Sequence, residues 1–364
     1  MTEPWEQEVP VEVAPVRAGE ELPWDRLEAY LRPRLALADD VAPMTALQFP
    51  NGSANLTYLL SFGADRFVLR RPPFGVIAPG AHDMSREFRV LSRLWAQYDR
   101  APRAYLLCDD HAVVGADFVV SEYRSGEVIW AWLPPSMTGL PDAARRVGLA
   151  TVDALADLHL ADPAACGLAD LGRPDGFLDR QLSGWRKRWD LVSSPDHAGA
   201  MEAAADELAR LQPRSSLGTF LHNDFKLDNC QFTPGQPDRV TSVFDWDMAT
   251  LGDPLVDFGT LLNYWPDPSD TPDDRAFHVP GMERLGLPAR ADVVERYAAR
   301  TGFEIGDVRW YEAFACWRVA VICQQLYQRY LRGESTDERM ASRGDNVGML
   351  ANRARRILAE NGGT

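Results

Sequence analysis

The stretch that decides the fold is Leu221-His222-Asn223-Asp224-Phe225-Lys226-Leu227-Asp228-Asn229, and Asp245-Trp246-Asp247 begins sixteen residues after Asn229. The stretch contains His-x-Asp and, five residues after that Asp, an Asn. Phosphoryl transfer from a nucleotide needs a carboxylate beside the acceptor hydroxyl and hard oxygen ligands for Mg²⁺. The spacing therefore predicts Asp224 as the base, and Asn229 and Asp245 as the metal ligands.

Composition narrows the classes of protein that this chain can be. Its 364 residues are 46% hydrophobic and 25% charged, an ordinary globular composition with enough chain for two lobes. The net charge of −15 disfavours nucleic acid as a partner, because a phosphate backbone requires a basic surface. No apolar run approaches the ~20 residues of a membrane helix, and the acidic start lacks the features of a signal peptide. We therefore expect a cytoplasmic protein that binds no membrane.

Cysteine and histidine give no sign of a disulfide framework or a metal centre of their own. The five cysteines are odd in number and scattered, without a Cys-x-x-Cys pair. The six histidines form no cluster with ligand spacing. This argues against a metal-dependent hydrolase, which would need further histidine ligands.

The first third of the chain has the pattern of a small antiparallel sheet. Three strand-like segments lie between Thr45 and Arg70, and an amphipathic helix with Asp83 as its N-cap follows them. Two more strands, around Ala104–Cys108 and Asp117–Tyr123, complete a sheet of five strands with one main helix.

From Arg124 the pattern is helical, except for a small β insertion between Thr219 and Trp246. Helical spacing marks the segments 142–160, 177–191, 198–211, 308–331 and 336–358. The sequence thus predicts an α+β, bilobal fold in three parts: an acidic N-terminal tail or loosely docked arm (1–22), a β-rich lobe (23–123) and a mainly helical lobe (124–364).

The motifs resemble one family. His222-Asn223-Asp224-x-x-x-x-Asn229 with Phe244-Asp245-Trp246-Asp247, and the continuation 249–259 (Ala-Thr-Leu-Gly-Asp-Pro-Leu-Val-Asp-Phe-Gly), resemble the aminoglycoside phosphotransferase and choline kinase-like family, relatives of the protein kinases. The likeness is closest to the branch with kinase domains associated with acyl-CoA dehydrogenases. It covers about residues 40–335. Glycine is usual in the family where Asn223 stands.

The resemblance implies a protein-kinase-like fold and a role for each motif residue. Asp224 is then the catalytic base, Asn229 and Asp245 coordinate Mg²⁺, and Asp247 assists the metal site. We expect His222 and Asp257 to support the loop rather than to act on substrate. The implied donor is ATP or GTP, and the implied acceptor is a hydroxylated small molecule that is aminoglycoside-like, choline-like or a hydroxyacyl-CoA.

The nucleotide is expected to bind to the β-rich lobe. Asn51, Gly52 and Ser53 lie between two strands, where a kinase has its phosphate-covering loop, although a plain hairpin turn explains one glycine equally well. By resemblance, backbone groups near Glu122 and Tyr123 bind the adenine edge.

Arg70 stands where the family has a lysine. The chain has only two lysines, Lys187 and Lys226, so none precedes Arg70 to replace it. Glu87 on the following helix is the predicted partner of Arg70, which would place a guanidinium over the α- and β-phosphates. Arginine is bulkier and makes planar, bidentate contacts, so the exchange is not neutral. Either the pocket has adapted to Arg70, or the protein is a pseudokinase. We favour activity, because the helical lobe retains its motif residues.

The acceptor is the least determined part. Residues 224–275 contain eleven aspartates against Lys226, Arg239 and Arg275. Such a surface would attract a cation, although runs of charge are more often solvated faces. The acceptor therefore stays open among the three classes.

Overall fold

A computed structural model describes residues 13–38, 40–50, 55–75, 83–215, 217–335 and 337–359. Two compact units make up the chain. The first contains the described residues up to Gly126 together with Thr241–Ala249, and the second contains Glu127–Val240 and the described residues from Thr250 onward. The segment 241–249 therefore belongs to the first unit, whereas the predicted boundary between residues 123 and 124 placed it in the second lobe. The predicted phosphate loop, Asn51, Gly52 and Ser53, lies outside the described residues.

The first unit contains the predicted five-stranded antiparallel sheet. Its strands are β1 (Met44–Gln48), β2 (Leu56–Phe62), β3 (Asp65–Arg71), β4 (Ala104–Cys108) and β5 (Phe118–Glu122), in the order β1-β2-β3-β5-β4. A tight turn joins β2 to β3, because Phe62 pairs with Asp65. Gly63 has φ +62° there, a conformation that glycine adopts without strain.

Helices cover this sheet and fix its strands. Helix α1 (Trp24–Arg34) buries Leu27 and Leu31 in one apolar core with Tyr58 and Phe118 of the sheet. Helix α2 (Met84–Leu91) begins at the predicted N-cap, where the Asp83 side chain accepts from the N–H of Arg86, and it packs against β4 and β5. Helix α3 (His111–Val114) is a single turn before β5.

The segment before α1 docks on the sheet. Ala14 forms an antiparallel bridge with Gln48 on β1. The Tyr58 hydroxyl donates to the carbonyl of Glu20 at 2.7 Å, and Leu22 is buried. Residues 13–22 are therefore a docked arm, the second of the two forms that the sequence left open.

The second unit is mainly helical and contains short strands. Its helices are α4 (Ala143–Leu160), α5 (Phe177–Asp190), α6 (Pro195–Leu211), α7 (Pro254–Asn263), α8 (Pro272–Phe277), α9 (Arg290–Thr301), α10 (Arg309–Leu331) and α11 (Arg343–Ala359). Its strands are β6 (Glu127–Val128), β7 (Thr219–Leu221), β8 (Cys230–Phe232) and β10 (Thr250–Gly252), and β9 (Val240–Val243) lies at the boundary of the units. Strand β6 pairs with β8, and β7 pairs with β10.

One predicted helix is divided. The segment 336–358 begins with a 3₁₀ turn at Glu338–Met340, and α11 starts only at Arg343. The Asp337 side chain accepts from the N–H of Arg339, so the chain is capped for a short turn before the α-helix begins. The helices predicted at 142–160, 177–191, 198–211 and 308–331 agree with the structure to within three residues, whereas the helix after Asp83 ends at Leu91 and a separate 3₁₀ turn follows at Leu94–Ala96. In the part of the chain that the structure describes, no helix combines the length and the apolar character needed to cross a membrane.

Helix α10 forms the centre of the second unit. Its residues from Trp310 to Val321 are all buried, and it packs on α6, α7 and α11. Gly259 of α7 lies so close to α10 that a Cβ at this position would overlap the backbone of Tyr311. The fold therefore requires glycine at position 259.

Replacing Gly259 with alanine tests this packing. Because backbone atoms of α10 cannot rotate out of the way, Gly259→Ala should lower the free energy of unfolding by about 1–3 kcal/mol. The matched control is Gly184→Ala on α5, where an added Cβ meets nothing within 4 Å. There alanine should raise stability by about 0.5–1 kcal/mol. Urea denaturation measures both, and equal effects at the two positions would contradict the close approach.

Candidate active site

The motif loop begins where β7 ends, at Leu221, and leads through Asp224 to a 3₁₀ turn at Leu227–Asn229 and then into β8. Pairing of Leu221 with Thr250 on β10 fixes its start. The predicted strand-loop-strand around Asp224 is therefore present. The Asp224 side chain is 29% exposed, so it is held in place and can still meet a substrate.

A buried carboxylate on α7 holds the backbone of the loop. Asp257 is fully buried, and its two oxygens accept the N–H of His222 at 2.5 Å and the N–H of Asn223 at 2.7 Å. His159 of α4 lies 3.5 Å from the same carboxylate and contacts the Tyr297 hydroxyl at 2.6 Å. Burial raises the pKa of Asp257, but hydrogen bonding and the positive potential of His159 and His222 outweigh it and leave the pKa below its ordinary value.

Asn229 and Lys226 contact Asp224. The Asn229 amide nitrogen donates to the Asp224 carbonyl at 2.8 Å and contacts Oδ2 at 3.3 Å. Lys226 Nζ lies 3.1 Å from the same Oδ2 and 3.8 Å from a carboxylate oxygen of Asp228. Burial lowers the pKa of Lys226, but Asp224 and Asp228 raise it more, so the lysine stays charged.

Sequence analysis missed the place of Lys226 in this arrangement. Its signal was its position, two residues after Asp224 in a chain with only two lysines. Its ammonium also lies 5.5 Å from the centroid of the Tyr264 ring, which stacks on Phe277. His222 is fully buried, and its Nδ1 accepts the N–H of Asp224 at 3.3 Å, which places it inside the loop.

The first unit brings together three more of the predicted residues. Arg70 on β3 forms an ion pair with Glu87 on α2, with Nη1 and Oε1 2.9 Å apart, and its Nη2 donates to Asp245 Oδ1. Burial lowers the pKa of Arg70, but the charges of Glu87, Asp245 and Asp247 raise it well above its ordinary value. The guanidinium is therefore permanently charged, and one side chain links β3, α2 and the segment 241–249.

Two of the motif residues have a left-handed backbone without being glycine. Asn223 has φ +69° and Asp245 has φ +71°. This region is sparsely populated by side-chain-bearing residues, and residues held there are concentrated at active sites and switch regions.

The segment predicted to bind adenine includes the last residue of β5, Glu122. Its N–H donates to the carbonyl of Arg103 at 2.8 Å, and its side chain contacts Arg124 at 2.9 Å. The role of Glu122 and Tyr123 in binding adenine stays a prediction.

Comparison with known proteins identifies the family. Residues 45–306 match the family described as the phosphotransferase enzyme family, APH. This chain belongs to that family. Acyl-CoA dehydrogenase family member 10 of Mus musculus is 33% identical over 326 residues, which are 88% of this chain and 30% of that protein. The chain spans only 30–40% of the length of the curated relatives that it matches.

Solved structures confirm the protein-kinase-like α+β fold. The chain is similar to a putative aminoglycoside phosphotransferase of Ralstonia eutropha JMP134, with TM-score 0.77 and 29% identity. The alignment covers 93% of this chain and 99% of that chain. At TM-scores of 0.56 and 0.58, two structures show the fold alone. They are a thermostable mutant of the aminoglycoside phosphotransferase APH(4)-Ia in a ternary complex with AMP-PNP and hygromycin B (17% identity, 93% and 99% coverage) and choline kinase of Cryptosporidium parvum Iowa II (12% identity, 93% and 95% coverage). The predicted family and fold are confirmed.

The role of Asp257 can be tested through pH. Because its folded pKa is depressed, the carboxylate adds stability above the unfolded value of about 3.9 and loses it as pH falls through the folded value. Asp257→Asn should therefore cost about 3–5 kcal/mol near pH 7, since it breaks a buried charged network. The cost should shrink once the pH falls below about 4.

Urea denaturation at several pH values measures this difference. Asp273→Asn, at an exposed position in the first turn of α8, is the control and should change stability by less than about 0.5 kcal/mol. A cost at position 257 that does not vary with pH would show that the charge of Asp257 is not what holds the loop.

Proposed function

We propose that this chain is a Mg²⁺- and ATP-dependent small-molecule kinase with Asp224 as its base. Family membership supports phosphoryl transfer, and the observation that carries the rest is the set of contacts on the Asp224 carboxylate. Lys226 and Asn229 both contact Oδ2, so Oδ1 is the oxygen proposed to meet the substrate. A base held through one oxygen keeps the other at a fixed position, which is what proton transfer requires.

The proposed reaction needs little covalent chemistry from the protein. The acceptor oxygen forms a bond to the γ-phosphorus, the bond from that phosphorus to the bridging oxygen breaks, and the nucleoside diphosphate leaves. The hydroxyl proton passes to Asp224. Lys226 contributes to the position of this carboxylate, because its ammonium lies 3.1 Å from Oδ2.

Arg70 is the proposed phosphate ligand. Its pairing with Glu87 supports this role, since the pair fixes a charged, planar fork at the position where the family has lysine. The similar phosphotransferase APH(4)-Ia, crystallised with AMP-PNP, supports a nucleotide as donor. ATP is proposed and GTP is the alternative.

The proposed metal ligands have suitable chemistry. Mg²⁺ prefers carboxylate and amide oxygens, and Asp245 and Asn229 supply these. The Asn229 amide nitrogen is turned to Asp224, which directs the amide oxygen to the opposite side. When bound, the metal neutralises charge on the β- and γ-phosphates. Asp247 adds negative potential beside Arg70 and is the proposed supporting residue.

One observation favours the second candidate, a nucleotide- or metabolite-binding pseudokinase without turnover. Arg70 contacts Asp245, so the residue that replaces the lysine also occupies an oxygen of a proposed metal ligand. If Mg²⁺ binds through that oxygen, an active enzyme gives up this contact, whereas a pseudokinase keeps it. The two candidates therefore differ in whether Arg70 and Mg²⁺ compete for Asp245.

For the acceptor, the structure weakens the case for a polycation. Most of the eleven aspartates contact groups within their own unit. In the second unit, those with partners outside the motif loop are Asp238 (Arg146), Asp253 (Tyr311 and the α7 N-terminus), Asp257 (His159), Asp267 (Ser269, Arg290), Asp270 (Arg290, His278) and Asp274 (Arg353, Arg356). The cation nearest to Asp224 is Lys226. Of the three acceptor classes we favour a hydroxyacyl-CoA over an aminoglycoside-like or choline-like cation.

A cytoplasmic location stays a prediction.

Nucleotide binding tests the role of Arg70. Calorimetry should detect ATP binding that weakens when EDTA removes Mg²⁺. Arg70→Met should weaken ATP binding about 10- to 100-fold, the effect of losing charge-assisted hydrogen bonds. The neighbouring buried Arg71, which donates to the carbonyls of Pro72 and Val114, is the matched control, and Arg71→Met should leave the affinity within about 2-fold. Equal losses in the two variants would contradict a phosphate contact by Arg70.

Turnover tests the proposed base. A screen of hydroxyacyl-CoAs, aminoglycosides and choline-like alcohols for ATP-dependent phosphorylation should give a phosphorylated product. With that acceptor, Asp224→Ala should lower kcat by about 10²- to 10⁴-fold and leave ATP affinity nearly unchanged. Asp228→Asn, in the same loop, is the control and should retain most of the activity. ATP binding without product from any acceptor class would favour the pseudokinase, and turnover that survives Asp224→Ala would exclude Asp224 as the base.

A further inference from the structure

The residue before the proposed base has a backbone that must be held by its surroundings. Asn223 has φ +69°, where a side-chain-bearing residue is strained, and the family has glycine at this position. Asparagine tolerates this conformation better than most residues do, but such a conformation persists only when neighbouring groups fix it. A change in the Asn223 peptide would move Asp224 directly.

Both polar atoms of the Asn223 backbone are held, each from a different helix. Its N–H donates to Asp257 on α7 at 2.7 Å, and its carbonyl accepts from Nη2 of Arg318 on α10 at 3.1 Å. The same Nη2 lies 2.7 Å from the hydroxyl of Thr260 on α7. Arg318 thus connects α10, the central helix of the second unit, to the motif loop by a hydrogen bond.

Burial of Arg318 at this position costs free energy. The residue is 4% exposed, and among the described residues no carboxylate lies within ion-pair distance of its guanidinium. Its Nε is buried without a hydrogen-bond partner in the same part of the chain. Burial of a charge without a paired carboxylate is costly, so packing alone would favour a methionine or leucine here.

We infer that Arg318 is a positioning residue of the motif loop, which holds Asp224 in place through the carbonyl of Asn223. This inference rests on the proposed function for its effect on turnover, although the effect on the loop itself does not depend on it. Arg318 touches neither the substrate nor the nucleotide in this role. A merely structural arginine would stabilise the junction of α7 and α10 without affecting the loop.

The experiment compares three variants. Arg318→Met removes the donor and retains an unbranched stem. Arg318→Lys retains one charged nitrogen that can donate to Asn223 or Thr260, but it lacks the planar guanidinium that fixes where Nη2 lies. The matched control is Gln324→Met on the same helix, which removes a buried hydrogen bond from Nε2 to the carbonyl of Val192 at 2.9 Å, away from the loop.

Turnover is normalised to the concentration of nucleotide-binding sites, so that unfolded protein does not contribute. Arg318→Met should lower kcat by about 10- to 100-fold, since a displacement near 1 Å of a reacting group costs about that much. The KM for ATP should stay within about 2-fold. Arg318→Lys should recover part of the loss, and Gln324→Met should lower the thermal midpoint but leave normalised kcat within about 2-fold.

Amide hydrogen exchange of the segment 221–229 in the nucleotide-free protein gives a readout that does not require turnover. Protection there should fall about tenfold or more in Arg318→Met and stay unchanged in Gln324→Met. Unchanged protection in Arg318→Met overturns the inference, even in a protein that proves to be a pseudokinase. Lost protection in a protein without turnover supports the positioning role and counts against the proposed function only.

Discussion

The candidate site depends on a buried carboxylate that accepts two backbone N–H groups. Asp257 fixes the peptides of His222 and Asn223. The loop continues from these two residues through Asp224 to Asn229. A buried ionised carboxylate is stable only when such donors surround it, and they lower its pKa in turn. The same contacts therefore stabilise the charge and shape the loop. This explains why α7, a helix of mostly apolar residues, contains a fully buried aspartate.

Scarcity of lysine gives each unit a distinctive charge arrangement. In the first unit Arg70 takes the position where the family has lysine, and its planar fork binds Glu87 and Asp245 at once, which a single ammonium does less well. In the second unit one of the two lysines lies beside Asp224. Arginine thus links two carboxylates through a planar fork, whereas the compact ammonium of Lys226 lies 3.1 Å from Asp224 and 3.8 Å from Asp228.

Net charge proved a poor guide to the acceptor. The chain carries −15 overall, and its aspartates are concentrated around the motif. In the structure many of these carboxylates cap helices or pair with arginines, as Asp253 and Asp274 do. A carboxylate in such a contact contributes little long-range field, because its partner cancels it. The local charge beside the proposed base, that of Lys226, carries more information than the net charge of the chain.

The sequence by itself determined the family, the five-stranded sheet and most helices, because strand and helix periodicity and short motif spacings are local properties. The Arg70–Glu87 pair followed from the resemblance to the family, and the structure contains it. The sequence indicated Asp257 and His222 as supports of the loop, and only the tertiary structure added Arg318 and Lys226. Arg318 lies 95 residues from Asn223, so its contact with the loop is not visible in the sequence. Lys226 was visible but had no assigned partner. Contacts between distant segments depend on packing, which spacing along the chain does not encode.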